Sequence, residues 1–305
     1  MKKNESSLTS LISAFGRAYH SQYDTPKIFD DFIAKDLITQ KEFSDIRENM
    51  IKGIHFFNHE IAKKFKDQPE EILKWITQVQ LSPTPLARAV YCENVLFQEM
   101  ILGVKQYVIL GAGLDTFCFR HTQLNDSLKI FEVDYPTTQS FKKRRLVDAE
   151  YQIPENLHFV PMDFTKEFAI QNLVKEGFIP KNKTFFSLLG VSYYLTKEEN
   201  ANLFKELFTY VPSGSSIVFD YADDKLFEEK GTSNRVQNMV QMASTSGEPM
   251  KSCFSYNEIE KLLENSGLLI YEHLSPDSIN NQFFVNRTDY LSAFETIHYI
   301  HAVKK

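Results

Sequence analysis

Cysteine is scarce in this chain of 305 residues, which contains only Cys92, Cys118 and Cys253. The three are odd in number, lie far apart and show no C-x-x-C spacing, so neither a disulfide framework nor a cysteine zinc site is indicated. The polar stretch from Asn4 to Ser10 provides no apolar signal-peptide core. No apolar run approaches the roughly 18 residues that a membrane-spanning helix requires. These absences predict a soluble, cytoplasmic protein with no membrane partner.

An excess of positive charge is also missing, because Lys and Arg total 34 against 40 Asp and Glu, for a formal net charge of -6. Without a concentrated basic face, binding to nucleic acid is not expected. The basic run Lys142 to Arg145 stands near the end of a predicted helix and is interpreted as a solvated face. Gly and Pro number only 11 each, which disfavours flexible linkers and a many-turned all-β chain.

Residues typical of metal sites are also sparse. His55 and His59 stand four apart on a predicted helix, a spacing that two metal ligands can use. The sequence places no third ligand beside them, so the pair is interpreted as structural and no metal is expected.

The chain does contain a regular alternation of short apolar runs with segments of helical length. Such alternation is typical of a parallel sheet covered by helices on both faces, an α/β fold. The predicted strands are Tyr107–Leu110, Lys129–Val133, His158–Val160, Thr184–Leu188, Ser216–Phe219 and Leu268–Tyr271. Two of the predicted helices are Ala201–Tyr210 and Tyr256–Asn265. The last run, from Thr296 to Val303, is expected to close the sheet as an edge strand.

The apolar spacing before this alternation is helical. One predicted stripe contains Phe29, Phe32, Ile33 and Leu37, and a second contains Phe56, Phe57, Ile61 and Phe65. Thr84 is expected to cap the next helix, with Pro85 in its first turn. The sequence therefore predicts a helical cover over residues 1–85 and a cofactor-binding domain over residues 86–305, packed as one compact unit.

A glycine turn follows the first predicted strand. Gly111 and Gly113 lie between that strand and a helix, an arrangement whose backbone N–H groups can accept an adenosine-bearing cofactor. Glu132 and Asp134 end the next strand, and Asp134 comes 21 residues after Gly113, close to the spacing of about 20 at which an acidic residue meets a ribose hydroxyl. Thr116 stands where a dinucleotide fingerprint has a third small residue, which weakens the case for NAD as the cofactor. An NAD(P)-dependent oxidoreductase on a Rossmann fold is kept as an alternative.

Five motifs in order carry a resemblance to a known family. They are Leu86–Tyr91, Val108–Thr116, Phe131–Pro136 followed by Lys142 or Lys143, Val160–Phe164 and Gly190–Thr196. Together they resemble the leucine carboxyl methyltransferase family, and most of all its bacterial branch, which O-methylates small metabolites such as polyketides. The resemblance implies a Rossmann-like class I methyltransferase fold, mostly parallel and doubly wound, with S-adenosyl-L-methionine as cofactor and a small-molecule acceptor.

The resemblance also implies roles for single residues. Arg88 matches the arginine that pairs with the methionine carboxylate of the cofactor, for which a guanidinium is suited. Asp134 matches the acceptor of the ribose hydroxyls, with Glu132 as the second choice. Asp163 and Phe164 match the pair at the adenine.

The turn glycines and the loop after the fourth strand complete the implied cofactor site. Gly111, Gly113 and Gly190 lie against the cofactor in this interpretation. The chain departs from the family at Leu189, where an acidic residue is usual, so a member that binds cofactor without turnover is a further alternative.

The acceptor chemistry is left open by the sequence. A carboxylate acceptor, on a small molecule or a peptide C-terminus, is already ionised and needs no base, whereas a hydroxyl acceptor does. The candidates for such a base are Tyr193, Tyr194 and Asp220, which follow the fourth and fifth predicted strands.

Overall fold

A computed structural model describes residues 8–163, 166 and 170–305. Within them, seven strands form one sheet in the order β3-β2-β1-β4-β5-β7-β6. The strands are β1 (Gln106–Leu110), β2 (Lys129–Asp134), β3 (Leu157–Pro161), β4 (Thr184–Leu188), β5 (Ser216–Ala222), β6 (Leu268–Leu274) and β7 (Ile297–Lys304). Strands β1 to β5 are parallel, and β7 runs antiparallel to both of its neighbours. The predicted α/β fold with a mostly parallel sheet is confirmed.

Helices cover the sheet and build the N-terminal part of the chain. Those of the described residues are α1 (Leu8–Tyr23), α2 (Gln40–Lys52), α3 (Ile54–Phe57), α4 (His59–Lys64), α5 (Pro69–Ile76), α6 (Pro83–Ile101), α7 (Phe117–Arg120), α8 (Pro136–Asp148), α9 (Ile170–Lys175), α10 (Lys197–Thr209), α11 (Arg235–Thr245), α12 (Tyr256–Asn265) and α13 (Pro276–Phe283). None of these is both long and apolar enough to cross a membrane.

The central strands are apolar because both faces of the sheet are covered. Every residue of β1, β4 and β5 is buried. Two clusters of buried apolar side chains account for this, one of which contains Tyr107 and Ile109 while the other contains Val108 and Leu110. Successive strand residues alternate between the faces, so a strand that is buried on both sides reads as a continuous apolar run.

The C-terminal strand corrects one expectation. Strand β7 is not at the edge of the sheet but pairs with β5 on one side and β6 on the other. Strand β6 is the edge, and its Tyr271 is 76% exposed. The antiparallel insertion of β7 explains why its residues Tyr299 to Ala302 are all buried.

The first predicted apolar stripe does not lie on a single helix. Residues 24–33 are irregular, a short 3-10 turn follows at Ala34–Leu37, and Phe32 is exposed. The Asp31 side chain accepts a hydrogen bond from the backbone N–H of Ala34, which satisfies locally a donor that a longer helix would use. The second stripe is divided between α3 and α4, and Phe56 is exposed.

The start of α6 also differs from the prediction. The helix begins at Pro83 with Ser82 as its N-cap residue, so Thr84 lies inside the first turn. Proline at this position lacks only an N–H that would have no partner in the helix. The predicted division between residues 85 and 86 thus falls in the first turn of α6, whose later residues pack against β4, β5 and β7.

Candidate active site

A cavity of about 490 Å³ lies between α1 and the carboxyl ends of β1, β2 and β4. The chain order of the sheet reverses at β1, and open α/β sheets bind ligands beside such a point. The volume is within the range of small-molecule and cofactor sites. Its wall includes Thr9, Ser13, Arg17, Asp31, Arg88, Gly111, Gly113, Asp115, Asp134, Asp163, Ser187, Leu189, Gly190, Tyr194 and Glu248.

The glycine turn after β1 forms the floor of the cavity. Gly111 and Gly113 both adopt positive φ angles, 73° and 52°. A Cβ atom on Gly113 would lie 2.9 Å from the Cβ atom of Ser10, so the close approach of α1 also requires glycine there. The predicted turn is therefore confirmed as a structural feature.

Asp134 ends β2 with its carboxylate on the cavity wall. Its Oδ2 atom accepts a hydrogen bond from the N–H of Gly113 at 2.5 Å, and its Oδ1 atom accepts one from the N–H of Tyr135 at 2.6 Å. Burial raises the pKa of this carboxyl to about 6, although the two N–H groups lower it. The cavity thus presents an acidic side chain with a perturbed pKa beside the glycine turn.

Glu132 lies elsewhere, although it is only two residues away. Its side chain is 1% exposed, does not line the cavity and forms an ion pair with Lys142 Nζ at 2.5 Å. Helix α8 begins directly after β2 and covers this position, since its Gln139 also donates to the Glu132 carbonyl. The assignment of Glu132 to the cofactor is therefore not supported by its position.

The same ion pair corrects the interpretation of the basic run. Lys142 is buried, and Arg145 pairs with Glu42 of α2. Only Lys143 and Arg144 are solvated, because the other two basic residues face the sheet and the cover.

Arg88 of α6 reaches the other end of the cavity. Its Nη1 atom donates to Asp220 Oδ2 at 3.0 Å and to the Tyr193 hydroxyl at 3.1 Å. A Cβ atom on Gly190 would lie 2.5 Å from Nη1, and Gly190 has a positive φ of 74°. Burial by itself would lower the pKa of the guanidinium, but the charge of Asp220 raises it above its usual range.

The three candidate bases differ in their access to the cavity. Tyr194 lies on the wall, whereas Tyr193 and Asp220 are buried behind it. Burial, followed by the charge of Glu248, raises the pKa of the Tyr194 hydroxyl to about 12.

The adenine end of the predicted site is only partly described. Asp163 lies on the cavity wall, and its Oδ2 atom is 3.6 Å from Lys166 Nζ. Phe164 lies outside the described residues.

Part of the wall was not predicted from the sequence. Arg17 donates to Asp31 Oδ2 at 2.8 Å and to the carbonyl of Leu114, 97 residues away, at 2.8 Å. The Thr116 hydroxyl donates to Asp31 Oδ1 at 2.6 Å. Thr116, which stands where a dinucleotide fingerprint has a third small residue, therefore connects the segment after the glycine turn to the N-terminal part of the chain. No local pattern in the sequence indicates these partners.

Thr9 and Glu248 line the cavity on the side of α1. The Thr9 hydroxyl donates to Glu248 Oε2 at 2.5 Å, and Thr9 also bonds Tyr194. The segment that carries Glu248 is held in turn by a bond from the N–H of Lys251 to the Tyr193 carbonyl at 2.7 Å.

The histidine pair stands outside the cavity. The Nδ1 atoms of His55 and His59 are 3.4 Å apart, with both side chains exposed. Across the described ranges, no group of three or more His, Cys, Asp or Glu side chains is arranged to hold a metal ion.

The strand order, the glycine turn after β1 and the carboxylate at the end of β2 define a class I methyltransferase fold. The sequence profile of the leucine carboxyl methyltransferase family matches residues 10–208, about two thirds of the chain. The chain belongs to this family and is an S-adenosyl-L-methionine-dependent methyltransferase. The oxidoreductase alternative is therefore not supported.

Individual relatives agree with this assignment. The candidate S-adenosyl-L-methionine-dependent methyltransferase YktD of Bacillus subtilis is 72% identical over 305 residues, all of both chains. A candidate methyltransferase of the same description from Mycobacterium tuberculosis is 28% identical over 150 residues, 48% of this chain and 49% of that protein. The crystal structure of a DUF574 family protein from Streptomyces avermitilis has a TM-score of 0.57 over 99% of both chains at 12% identity, and it shows the fold alone.

Proposed function

We propose that this enzyme transfers the methyl group of S-adenosyl-L-methionine to a carboxylate oxygen of a small-molecule acceptor. The observation that carries this choice is that every acidic side chain of the wall already accepts a hydrogen bond or pairs with a cation. Such partners stabilise the charged carboxylate and weaken it as a general base, although its remaining lone pairs can still accept hydrogen bonds from a cofactor. The partners are Arg17 for Asp31, the Phe117 N–H for Asp115, two N–H groups for Asp134, Lys166 for Asp163 and Thr9 for Glu248.

The cavity also fits the cofactor. Arg88 offers a planar cation on the wall for the methionine carboxylate, and Asp134 offers acceptor oxygens for the ribose hydroxyls. Asp163 is suited to the exocyclic amine of the adenine, while Gly111, Gly113 and Gly190 leave room that side chains would fill. When bound, the cofactor supplies a methyl group on a positively charged sulfur.

A carboxylate acceptor suits the groups of this wall. It is ionised at neutral pH and needs no proton removed, so the protein contributes orientation and exclusion of water. A hydroxyl acceptor would need a base, and Tyr194, the candidate on the wall, has its pKa raised to about 12. Such a phenol holds its proton at neutral pH.

The product of methyl transfer tests the proposal. The protein is incubated with cofactor that carries a radiolabelled methyl group and with a panel of small carboxylic acids and matched alcohols. A methyl ester releases labelled methanol in mild alkali, and a methyl ether does not. We expect alkali-labile label that depends on the acids.

Alkali-stable label would contradict the carboxylate assignment and favour a hydroxyl acceptor. Cofactor binding without label in any product would favour the non-catalytic alternative that Leu189 raised.

A further inference from the structure

Asp220 is a fully buried acidic residue. Methylation of a carboxylate requires no proton transfer, so the proposed reaction gives Asp220 no role as an acid or base. It lies in β5, and its side chain is 0% exposed. Both of its oxygens have donors, because Oδ1 accepts from the N–H of Gly190 at 2.6 Å and Oδ2 accepts from Arg88 Nη1 at 3.0 Å. A carboxylate in these surroundings is held in place, and Asp220 does not line the cavity.

These contacts constrain the guanidinium of Arg88 in two directions. Asp220 and the Tyr193 hydroxyl hold its Nη1 atom, which prevents rotation in the plane. The backbone of Gly190 lies against its flat face, since a Cβ atom there would be 2.5 Å from Nη1, 2.6 Å from Nη2 and 2.8 Å from Cζ. Gly190 is fixed in turn by Asp220 through its own N–H.

Asp220 therefore orients Arg88 and the loop after β4 together. A guanidinium that recognises a carboxylate with two parallel N–H bonds must present the correct edge, and a preoriented group loses less freedom on binding. The residue is 132 positions from Arg88 in the sequence, so only the fold joins them.

We infer that Asp220 is a positioning residue that orients the Arg88 guanidinium toward the methionine carboxylate of the cofactor, and not a general base. This inference rests on the proposed placement of the cofactor. It predicts that Asp220 contributes to affinity only through the carboxylate end of the ligand.

Two ligands separate this role from a general structural one. S-adenosylhomocysteine carries the carboxylate, and 5′-methylthioadenosine keeps the adenosine and sulfur but lacks it. We expect Asp220→Asn to bind S-adenosylhomocysteine about tenfold or more weakly and to bind methylthioadenosine like the wild type, by calorimetry. Arg88→Ala should show the same selectivity, and the double variant should be no weaker than Arg88→Ala alone.

Asp223→Asn is the matched control, because Asp223 follows β5 directly, pairs with His298 and does not line the cavity. It should bind both ligands like the wild type. Circular dichroism and denaturant midpoints establish that each variant is folded. If Asp220→Asn does not fold, Asp220→Glu keeps the charge but displaces the carboxylate by one methylene, and it should show the same selective loss.

Equal loss of both ligands in a folded Asp220 variant, or normal binding of both, would overturn the positioning role. In the second case a selective loss in Arg88→Ala would leave the proposed cofactor placement standing. If Arg88→Ala binds S-adenosylhomocysteine normally, that placement fails instead.

Discussion

Two acidic residues of β2 show how much the surroundings of a side chain determine its chemistry. Asp134 faces the cavity with a pKa raised by burial to about 6, whereas Glu132 is enclosed with Lys142. Strand alternation places both on one face, but only the residue at the strand end escapes the cover of α8. The two side chains should therefore respond differently to substitution.

Asp134 should make cofactor binding depend on pH. Ribose hydroxyls donate to the ionised carboxylate, so binding favours the charged form and releases a proton from the protonated one. Affinity for S-adenosylhomocysteine should fall as the pH drops through about 6, the value to which the Asp134 pKa is raised. Calorimetry at a series of pH values around 6 measures this change in affinity. The Asp134→Asn variant should bind S-adenosylhomocysteine more weakly, with an affinity that does not change over this pH range. An unchanged profile in Asp134→Asn would assign the dependence to another group.

Glu132 should matter for stability rather than for affinity. Burial raises the pKa of Glu132 to about 7, so the pair is fully charged only above that pH. There, Glu132→Gln leaves the Lys142 ammonium buried without its counter-charge, which costs up to about 3–5 kcal/mol. Urea denaturation should show this loss, and Glu132→Leu combined with Lys142→Met should recover most of it. Folded Glu132→Gln is expected to bind S-adenosylhomocysteine like the wild type, and a selective loss of affinity would restore Glu132 to the cofactor site.

At the scale of elements, helix α1 forms one side of the cavity. Its first turn contacts Gly113 through Ser10 and reaches Glu248 through Thr9, 239 residues away. We expect ligand exchange to require these contacts to open, because Thr9, Ser10 and Glu248 all line the cavity.

Thr9→Val should therefore speed the release of S-adenosylhomocysteine. The substitution removes the bonds of Thr9 to Glu248 and Tyr194. A hydrogen bond to a charged group is worth about 1.5–3 kcal/mol, so the release rate, measured by displacement of radiolabelled ligand, should rise by at most about 150-fold. Thr196→Val is the matched control, since it breaks a Thr–Glu pair at the N-cap of α10. That variant should lose about 1 kcal/mol of stability with an unchanged release rate. Equal release rates in the two variants would contradict a role for α1 in ligand exchange.

At the scale of the whole molecule, the cavity is lined both by residues of the N-terminal part of the chain and by residues that follow strands of the sheet. Arg17 and Asp31 come from the N-terminal part, while Thr116 and Leu114 follow β1. A ligand bound among residues of both parts stabilises the folded chain as a unit.

S-adenosylhomocysteine at 100 times its dissociation constant should add about 2.7 kcal/mol to the free energy of unfolding. NAD at the same concentration should add nothing. Chemical denaturation with each ligand measures both values, and stabilisation by NAD alone would contradict the assigned cofactor.

Elements that depend on local pattern were largely predictable. The runs Thr184–Leu188 and Tyr256–Asn265 have the observed bounds. The other predicted strands are extended by one to three residues, except that the run from Thr296 to Val303 is shifted by one residue. The irregular segment around Asp31 was missed because its conformation depends on Arg17 and Thr116. The sequence does not predict that β7 lies inside the sheet, because its mixture of apolar residues with His and Tyr is equally compatible with an edge strand.

The sequence by itself determined the α/β fold, the glycine turn and the position of Asp134 after it, because each depends on spacings within about 25 residues. The tertiary structure decided which side chains meet. Arg88 reaches Asp220, Arg17 reaches Leu114 and Thr9 reaches Glu248 across 132, 97 and 239 residues. The sequence alone does not distinguish a charged residue that is exposed to solvent from one that forms an ion pair in the interior. The burial of such a residue depends on which helix or strand returns to cover it, as α8 covers Glu132 and leaves Asp134 open to the cavity.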